Sequence, residues 1–144
     1  MKLGEVQHIA ISVSNMDEAL NFYSGLLGLE VMMDMEMEGD PAIEAILGVE
    51  NLKMRYVLFT GKGAQLNLLE FKNPKGENVA EKLRPCDHAI HHIAFSVDDV
   101  EAAYKELGEK GIEFISPPQD TGLAKACAMR APDGVVIELF ELPL

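Results

Sequence analysis

Two histidines open two nearly identical stretches of this chain. His8-Ile9-Ala10-Ile11-Ser12-Val13 returns as His92-Ile93-Ala94-Phe95-Ser96-Val97, with five of six positions identical at an offset of 84 residues. A second correspondence follows at an offset of 71 residues, where Gly63-Ala64-Gln65-Leu66-Asn67-Leu68-Leu69-Glu70 answers Gly134-Val135-Val136-Ile137-Glu138-Leu139-Phe140-Glu141. The repeat thus yields one imidazole per copy, His8 and His92, plus Glu138 and its counterpart Asn67. Two imidazoles and a carboxylate are a common ligand set for a divalent metal such as nickel, zinc, manganese, cobalt or ferrous iron, with coordination positions left open for substrate. Asn67 takes the symmetric fourth place, where its neutral amide oxygen is a weak ligand, a water-mediated one, or a substrate contact.

Alternation decides which of these side chains share a surface. In the first strand Ile9, Ile11 and Val13 point one way and His8, Ala10 and Ser12 the other. Ile93, Phe95 and Val97 oppose His92, Ala94 and Ser96 in the second copy. Val135, Ile137 and Leu139, like Ala64, Leu66 and Leu68, form the apolar face expected to pack on a helix. The histidines, Glu138 and Asn67 are left to line the concave side of a sheet. A carboxylate between Ile137 and Leu139 on a buried strand needs a partner, which a metal supplies.

Helices follow both opening strands. Asn15 and Asp99 are N-cap residues, carboxylates follow in each first turn, and apolar residues recur at helical spacing. Met16, Ala19, Leu20, Tyr23 and Leu27 form the first apolar face, and Val100, Ala103, Tyr104 and Leu107 the second. Gly28 and Gly111 fall where left-handed C-terminal caps belong. Each module reads as strand, helix, then three strands. Module one (about 1–72) has strands near 5–13, 29–38, 53–60 and 64–71 and a helix near 16–27. Module two (about 89–144) has strands near 90–97, 112–116, 124–130 and 135–141 and a helix near 99–110. Residues 73–88 form the linker, with a short helix near Glu77 to Leu83. The two offsets leave module one about 13 residues longer. That excess falls near Asp40 to Asn51, as a loop with a short helix around Ile43 to Leu47. The fold class is α+β, one domain of two repeated modules.

Bulk properties narrow the function. At 144 residues with 48% hydrophobic content, the chain can bury one ordinary core. No run of 18 apolar residues exists, so no membrane span is expected, and no signal peptide is visible at the N-terminus. The expectation is a soluble cytoplasmic protein. A net charge of −12 argues against nucleic acid as a partner. Lys53, Arg55, Lys125 and Arg130 lie on corresponding strands and form either a local basic patch or ordinary surface charges. Cys86 and Cys127 match no metal or redox spacing and read as unpaired thiols. His91 points away from His92 and reads as structural, and His88 has no role. Glu70 and Glu141 are expected at strand ends facing solvent. Met33, Met35 and Met37 share one face, filling the core or lining an adaptable apolar pocket.

On these residues the chain resembles the vicinal oxygen chelate superfamily, the glyoxalase/bleomycin-resistance/extradiol-dioxygenase fold. The resemblance rests on HIAISV, MDEALNFYSGLLGLEV, HHIAFSVDDVEAAYKEL and APDGVVIELFE and covers nearly the whole chain. It implies paired βαβββ modules forming a cupped, barrel-like mixed sheet around a metal, with helices on the outer face, and a homodimer. By position, His8, His92 and Glu138 match three family metal ligands. Glyoxalase I-like members carry Glu at the place of Asn67, and methylmalonyl-CoA epimerase-like members Gln or Glu, so Asn67 departs from both. The resemblance implies a metal-dependent isomerase or lyase that stabilises an enolate-type intermediate of a small carbonyl or thioester substrate. Glu138 would serve as ligand and occasional base, and Glu44 and Glu50 are further base candidates. The same ligand set suits a ferrous-iron dioxygenase. Other members are non-catalytic small-molecule-binding or resistance proteins, or thiol transferases.

Overall fold

The computed structural model describes residues 1–61 and 63–143. The chain divides into two compact units, Met1–Glu77 and Asn78–Leu144. Unit one runs β1 (His8–Ser12), α1 (Met16–Leu20), a π-helical turn (Asn21–Leu26), β2 (Val31–Glu38), α2 (Pro41–Leu47), β3 (Lys53–Phe59) and β4 (Gln65–Asn73). Unit two runs a 3-10 turn (Ala80–Lys82), β5 (His92–Ser96), α3 (Val100–Glu109), β6 (Gln119–Asp120), β7 (Lys125–Arg130), a second 3-10 turn (Pro132–Gly134) and β8 (Val136–Glu141). Each unit carries a four-stranded mixed sheet, in the orders β1-β4-β3-β2 and β5-β8-β7-β6. The first and last strands of each unit pair in parallel and the other neighbours antiparallel. The α+β class holds.

Local chemistry starts and stops the helices. The Asn15 side chain accepts from the amides of Asp17 and Glu18 at 3.0 and 3.1 Å, satisfying donors that a first turn leaves unpaired. Asp99 does the same for Ala102 at 2.9 Å. Gly28 and Gly111 close the first and third helices at φ of 76° and 90°, where a Cβ would be strained. The helix expected over 16–27 is not one regular α-helix. It widens after Leu20, and the Leu27 amide bonds the Phe22 carbonyl five residues back at 3.0 Å. Phe22 and Tyr23 are both buried there, and the Tyr23 ring lies tilted against Phe59 of β3.

The core of unit one lies between this helical segment and one sheet face, where Ile11, Val57, Leu66 and Leu68 meet Met16 and Ala19. Unit two repeats the plan with Val100 and Leu107 and with Cys127, Met129, Ile137 and Leu139. Each such side chain, fully buried, contributes roughly 1.5–3 kcal/mol. Burial pushes the Cys127 thiol up to about 11, so it packs as a small apolar group. The strand expected over 112–116 reduces to one bridge, Phe114 to Met129, and regular pairing waits until β6. Pro117 and Pro118 intervene and have no amide to give to a ladder.

The inserted segment carries α2, capped by Asp40 at its start and by Gly48 (φ 68°) at its end. It covers part of the sheet face away from α1, where Ile43 and Val49 pack on Leu52, Met54 and Leu69. Among the described residues no helix is long and apolar enough to cross a membrane.

Candidate metal-binding residues

Strand register places the polar groups of unit one. His8, Ala10 and Ser12 on β1 stand opposite Gln65, Asn67 and Leu69 on β4. Leu58 and Tyr56 on β3 stand opposite Asn67 and Leu69, and Met33 and Met35 on β2 opposite Leu58 and Tyr56. Because side chains alternate, all of these share the face away from α1. His8 is exposed, and its Nδ1 meets the Oε1 of Gln7, which leaves Nε2 as the nitrogen with a lone pair to give. Asn67 is 2% exposed. Its Nδ2 donates to the Tyr56 hydroxyl at 2.8 Å, while its Oδ1 is buried without a hydrogen-bond partner. Burial pushes the Tyr56 phenol above its ordinary pKa, and the Asn67 bond partly offsets this.

In unit two, His92 and Ala94 on β5 stand opposite Val136 and Glu138 on β8, and Ala128 on β7 also stands opposite Glu138. His92 Nε2 lies 3.8 Å from Glu138 Oε1, with side chains 40% and 24% exposed. The Nδ1 atoms of His91 and His92 are 2.8 Å apart, with the rings edge to face. His91 is therefore an exposed neighbour of His92 and not a residue turned to the other face. Both candidate imidazoles have Nδ1 engaged by the side chain just before them, Gln7 or His91, at equivalent places of the repeat.

Glu44 accepts from the Leu52 amide at 2.7 Å and ties α2 to the loop before β3. Glu50 is exposed. Glu141 does not face solvent freely, because its carboxylate accepts from the Val100 amide at 2.7 Å and caps α3 beside Asp99. Among the described residues of unit one, the basic side chains of β3 are taken up in ion pairs and form no free basic patch. Arg55 grips Asp34 through Nε at 2.9 Å and Nη2 at 2.7 Å, and Asp17 through Nη1 at 2.8 Å. The paired guanidinium holds the Asp34 carboxyl below the usual range. Lys53 pairs with Glu38 and Lys72 with Glu36. Arg130 donates to the Gly134 carbonyl at 2.8 Å. Met33 and Met35 are exposed, whereas Met37 packs toward Leu52 and Met54.

The structure brings His92 together with Glu138 and puts His8 on the same sheet face as Asn67. Among the described residues no group of three His, Cys, Asp or Glu side chains is gathered in metal-holding reach. Two imidazoles, a carboxylate and an amide oxygen are donors of the kind a divalent cation takes. The unpartnered Oδ1 of Asn67 is costly to bury alone, and a cation is one group that would satisfy it. Tyr56 is the neighbour that sequence reading passed over. It lies within the expected third strand, but only the β3–β4 register brings its hydroxyl to Asn67.

Comparison with known proteins agrees with this architecture. The model of the Glyoxalase/Bleomycin resistance protein/Dioxygenase superfamily matches residues 5–139. The mitochondrial methylmalonyl-CoA epimerase of Dictyostelium discoideum is 27% identical over 143 residues, covering 96% of this chain and 79% of the relative. The ethylmalonyl-CoA/methylmalonyl-CoA epimerase of Cereibacter sphaeroides is 30% identical over 114 residues, covering 78% and 75%. A crystal structure of a glyoxalase family protein from Bacillus cereus superposes with a TM-score of 0.85 at 19% identity, over 99% of this chain and 96% of that one. By the repeat, the sheet orders and a family match over nearly its full length, this chain belongs to the Glyoxalase/Bleomycin resistance protein/Dioxygenase superfamily.

Proposed function

We propose that this chain is an epimerase acting on a small carbonyl or thioester substrate, and that it binds one divalent cation through His8, Asn67, His92 and Glu138. The epimerase names of its relatives support the reaction class. The observation that carries the cation is the buried, unpartnered Asn67 amide oxygen in the place symmetric to Glu138.

A bound divalent cation supplies Lewis acidity, stabilising negative charge on a substrate oxygen by several kcal/mol. The chain's own groups do the rest. Glu138 carries two oxygens, so one can serve as ligand while the other accepts the proton from the carbon next to the carbonyl. Such a positioned base contributes about 10²–10⁴-fold. His92 Nε2, 3.8 Å from Glu138 Oε1, would supply the neighbouring donor to the same cation. Asn67 cannot take a proton at neutral pH, so it orients and does not exchange. Epimerisation needs the proton returned on the opposite side of the carbon. Of the three carboxylates in the inserted segment, Asp40 caps α2 and Glu44 is tied to Leu52, which leaves Glu50, in its protonated form, to return the proton. Met33, Met35, Leu58 and Leu69 offer apolar contact to the carbon skeleton.

The test is solvent exchange. Protein loaded with Co²⁺ or Mn²⁺ and incubated in D₂O with a single-enantiomer 2-methyl thioester is expected to incorporate deuterium at the 2-carbon and to racemise it. Absence of exchange above the buffer rate, for 2-methyl thioesters and for 2-oxo thiohemiacetals alike, would contradict an enolate-forming enzyme.

A further inference from the structure

We infer that Tyr56 is a positioning residue that decides which end of the Asn67 amide is offered as a ligand. The inference rests on the cation-binding reading above and deepens it. An asparagine amide has two ends of nearly equal shape and opposite chemistry. The oxygen accepts and can ligate; the NH₂ donates and repels a cation. Rotation of the amide exchanges them, so a neutral ligand needs something to set its orientation.

Tyr56 is placed to do this. Its hydroxyl accepts from Asn67 Nδ2 at 2.8 Å. The cross-strand neighbours of Asn67 are Ala10 and Leu58, neither of which carries a polar side-chain atom. With the NH₂ held by the phenol, the oxygen is the end left unpartnered. In the opposite orientation the phenol would donate to the oxygen, closing the one end able to ligate, and both N–H donors of a residue only 2% exposed would be left without an acceptor. In unit two the logic is different. Ala126 pairs with Phe140 two places beyond Glu138, as Tyr56 pairs with Leu69 two places beyond Asn67. A carboxylate has two equivalent oxygens and needs no such partner, and that half has alanine where unit one has tyrosine.

A double-mutant cycle separates orientation from packing. Co²⁺ affinity is measured by competition with a chromophoric chelator for the parent chain, Tyr56→Phe, Asn67→Asp and the pair combined. Tyr56→Phe is expected to weaken Co²⁺ binding about tenfold, in the range known for removing a partner of a metal ligand. In the Asn67→Asp background the same change is expected to shift affinity by less than about twofold, because either carboxylate oxygen can ligate. Equal weakening in both backgrounds, or none in either, overturns the inference. Failure of the parent chain to bind Co²⁺ at all overturns the cation reading, and this inference with it. A metal-free readout is independent of both. The Asn67 side-chain amide resonances are expected to move in Tyr56→Phe, and unchanged resonances would overturn the inference even where Co²⁺ binds. Thermal melting of Tyr56→Phe, which loses one hydroxyl, checks that the fold is kept.

Discussion

The sheet faces of the two units are built on one plan and filled differently. Asn67 is flanked by Ala10 and Leu58, touches Tyr56 and is 2% exposed. Glu138 is flanked by Ala94 and Ala128, lies near His92, and has a side chain 24% exposed. Side-chain size decides which polar group each place can carry. Tyrosine and leucine close one place, where a charge would be costly, and a neutral amide stands there. Alanines open the other, and a carboxylate stands there. A duplicated architecture thus carries a carboxylate at one place and a neutral amide at the other.

The largest effect is expected at Glu138. Glu138→Gln, nearly isosteric, is expected to lower turnover by about 10²–10⁴-fold with little change in melting temperature, as steady-state kinetics and calorimetry will show. An active Glu138→Gln protein would contradict the role assigned to Glu138. The next effect concerns two glycines at matching places of the repeat. Gly134 has φ 92°, and a Cβ there would lie 2.7 Å from the Glu81 Cα. Gly63 has φ 86°, and a Cβ there would meet no described atom within 4 Å. Gly134→Ala should therefore destabilise by about 2–4 kcal/mol, from strain plus collision. Gly63→Ala should cost about 1–2 kcal/mol, from strain alone. Denaturant melts of the two variants test the difference, and equal costs would contradict the close approach of the 3-10 turns in unit two.

Asn67→Asp sharpens the burial argument. It should destabilise the metal-free protein by about 2 kcal/mol, because burial there disfavours a carboxylate. Added cation should restore stability by mass action. An unchanged metal-free melting temperature would mean that the position tolerates charge after all. The smallest effect lies on the opposite face of unit one, where Arg55 ties β2 and α1 to β3. The folded Asp34 carboxyl is held below its unfolded value by the Arg55 hydrogen bonds. Its contribution is therefore fully present above the ordinary aspartate range and is lost as pH falls through the lowered folded value. Asp34→Asn should cost about 1 kcal/mol at neutral pH and flatten the acid limb of the stability profile. An unaltered acid limb would show that the ion pair contributes nothing measurable.

Much of this was legible in the residues. The alternation of HIAISV and HIAFSV put the histidines on one face and the isoleucines on the other, because a strand has no third choice. Asn15, Asp99, Gly28 and Gly111 marked helix ends through specific backbone demands. What stayed hidden depended on pairing between strands. The contact of Tyr56 with Asn67 follows from the β3–β4 register, which the loop near Gly61 and Gly63 sets and composition does not. Glu141 has the parity of the buried face, yet its carboxylate reaches the first turn of α3, a contact invisible without the strand-to-helix packing. The shift of β6 beyond residue 116 was foreshadowed by Pro117 and Pro118, whose missing donors outweighed the apolar pattern of Ile112, Phe114 and Ile115.

The most direct measurement is cation stoichiometry after equilibrium dialysis against Co²⁺, for the parent chain and for His8→Ala, Asn67→Ala, His92→Ala and Glu138→Ala. The expected result is one equivalent on the parent chain. His8→Ala, His92→Ala and Glu138→Ala should lose it, and Asn67→Ala should bind more weakly. Full occupancy retained in His8→Ala or His92→Ala, or no Co²⁺ on the parent chain, would contradict a cation held by these four residues.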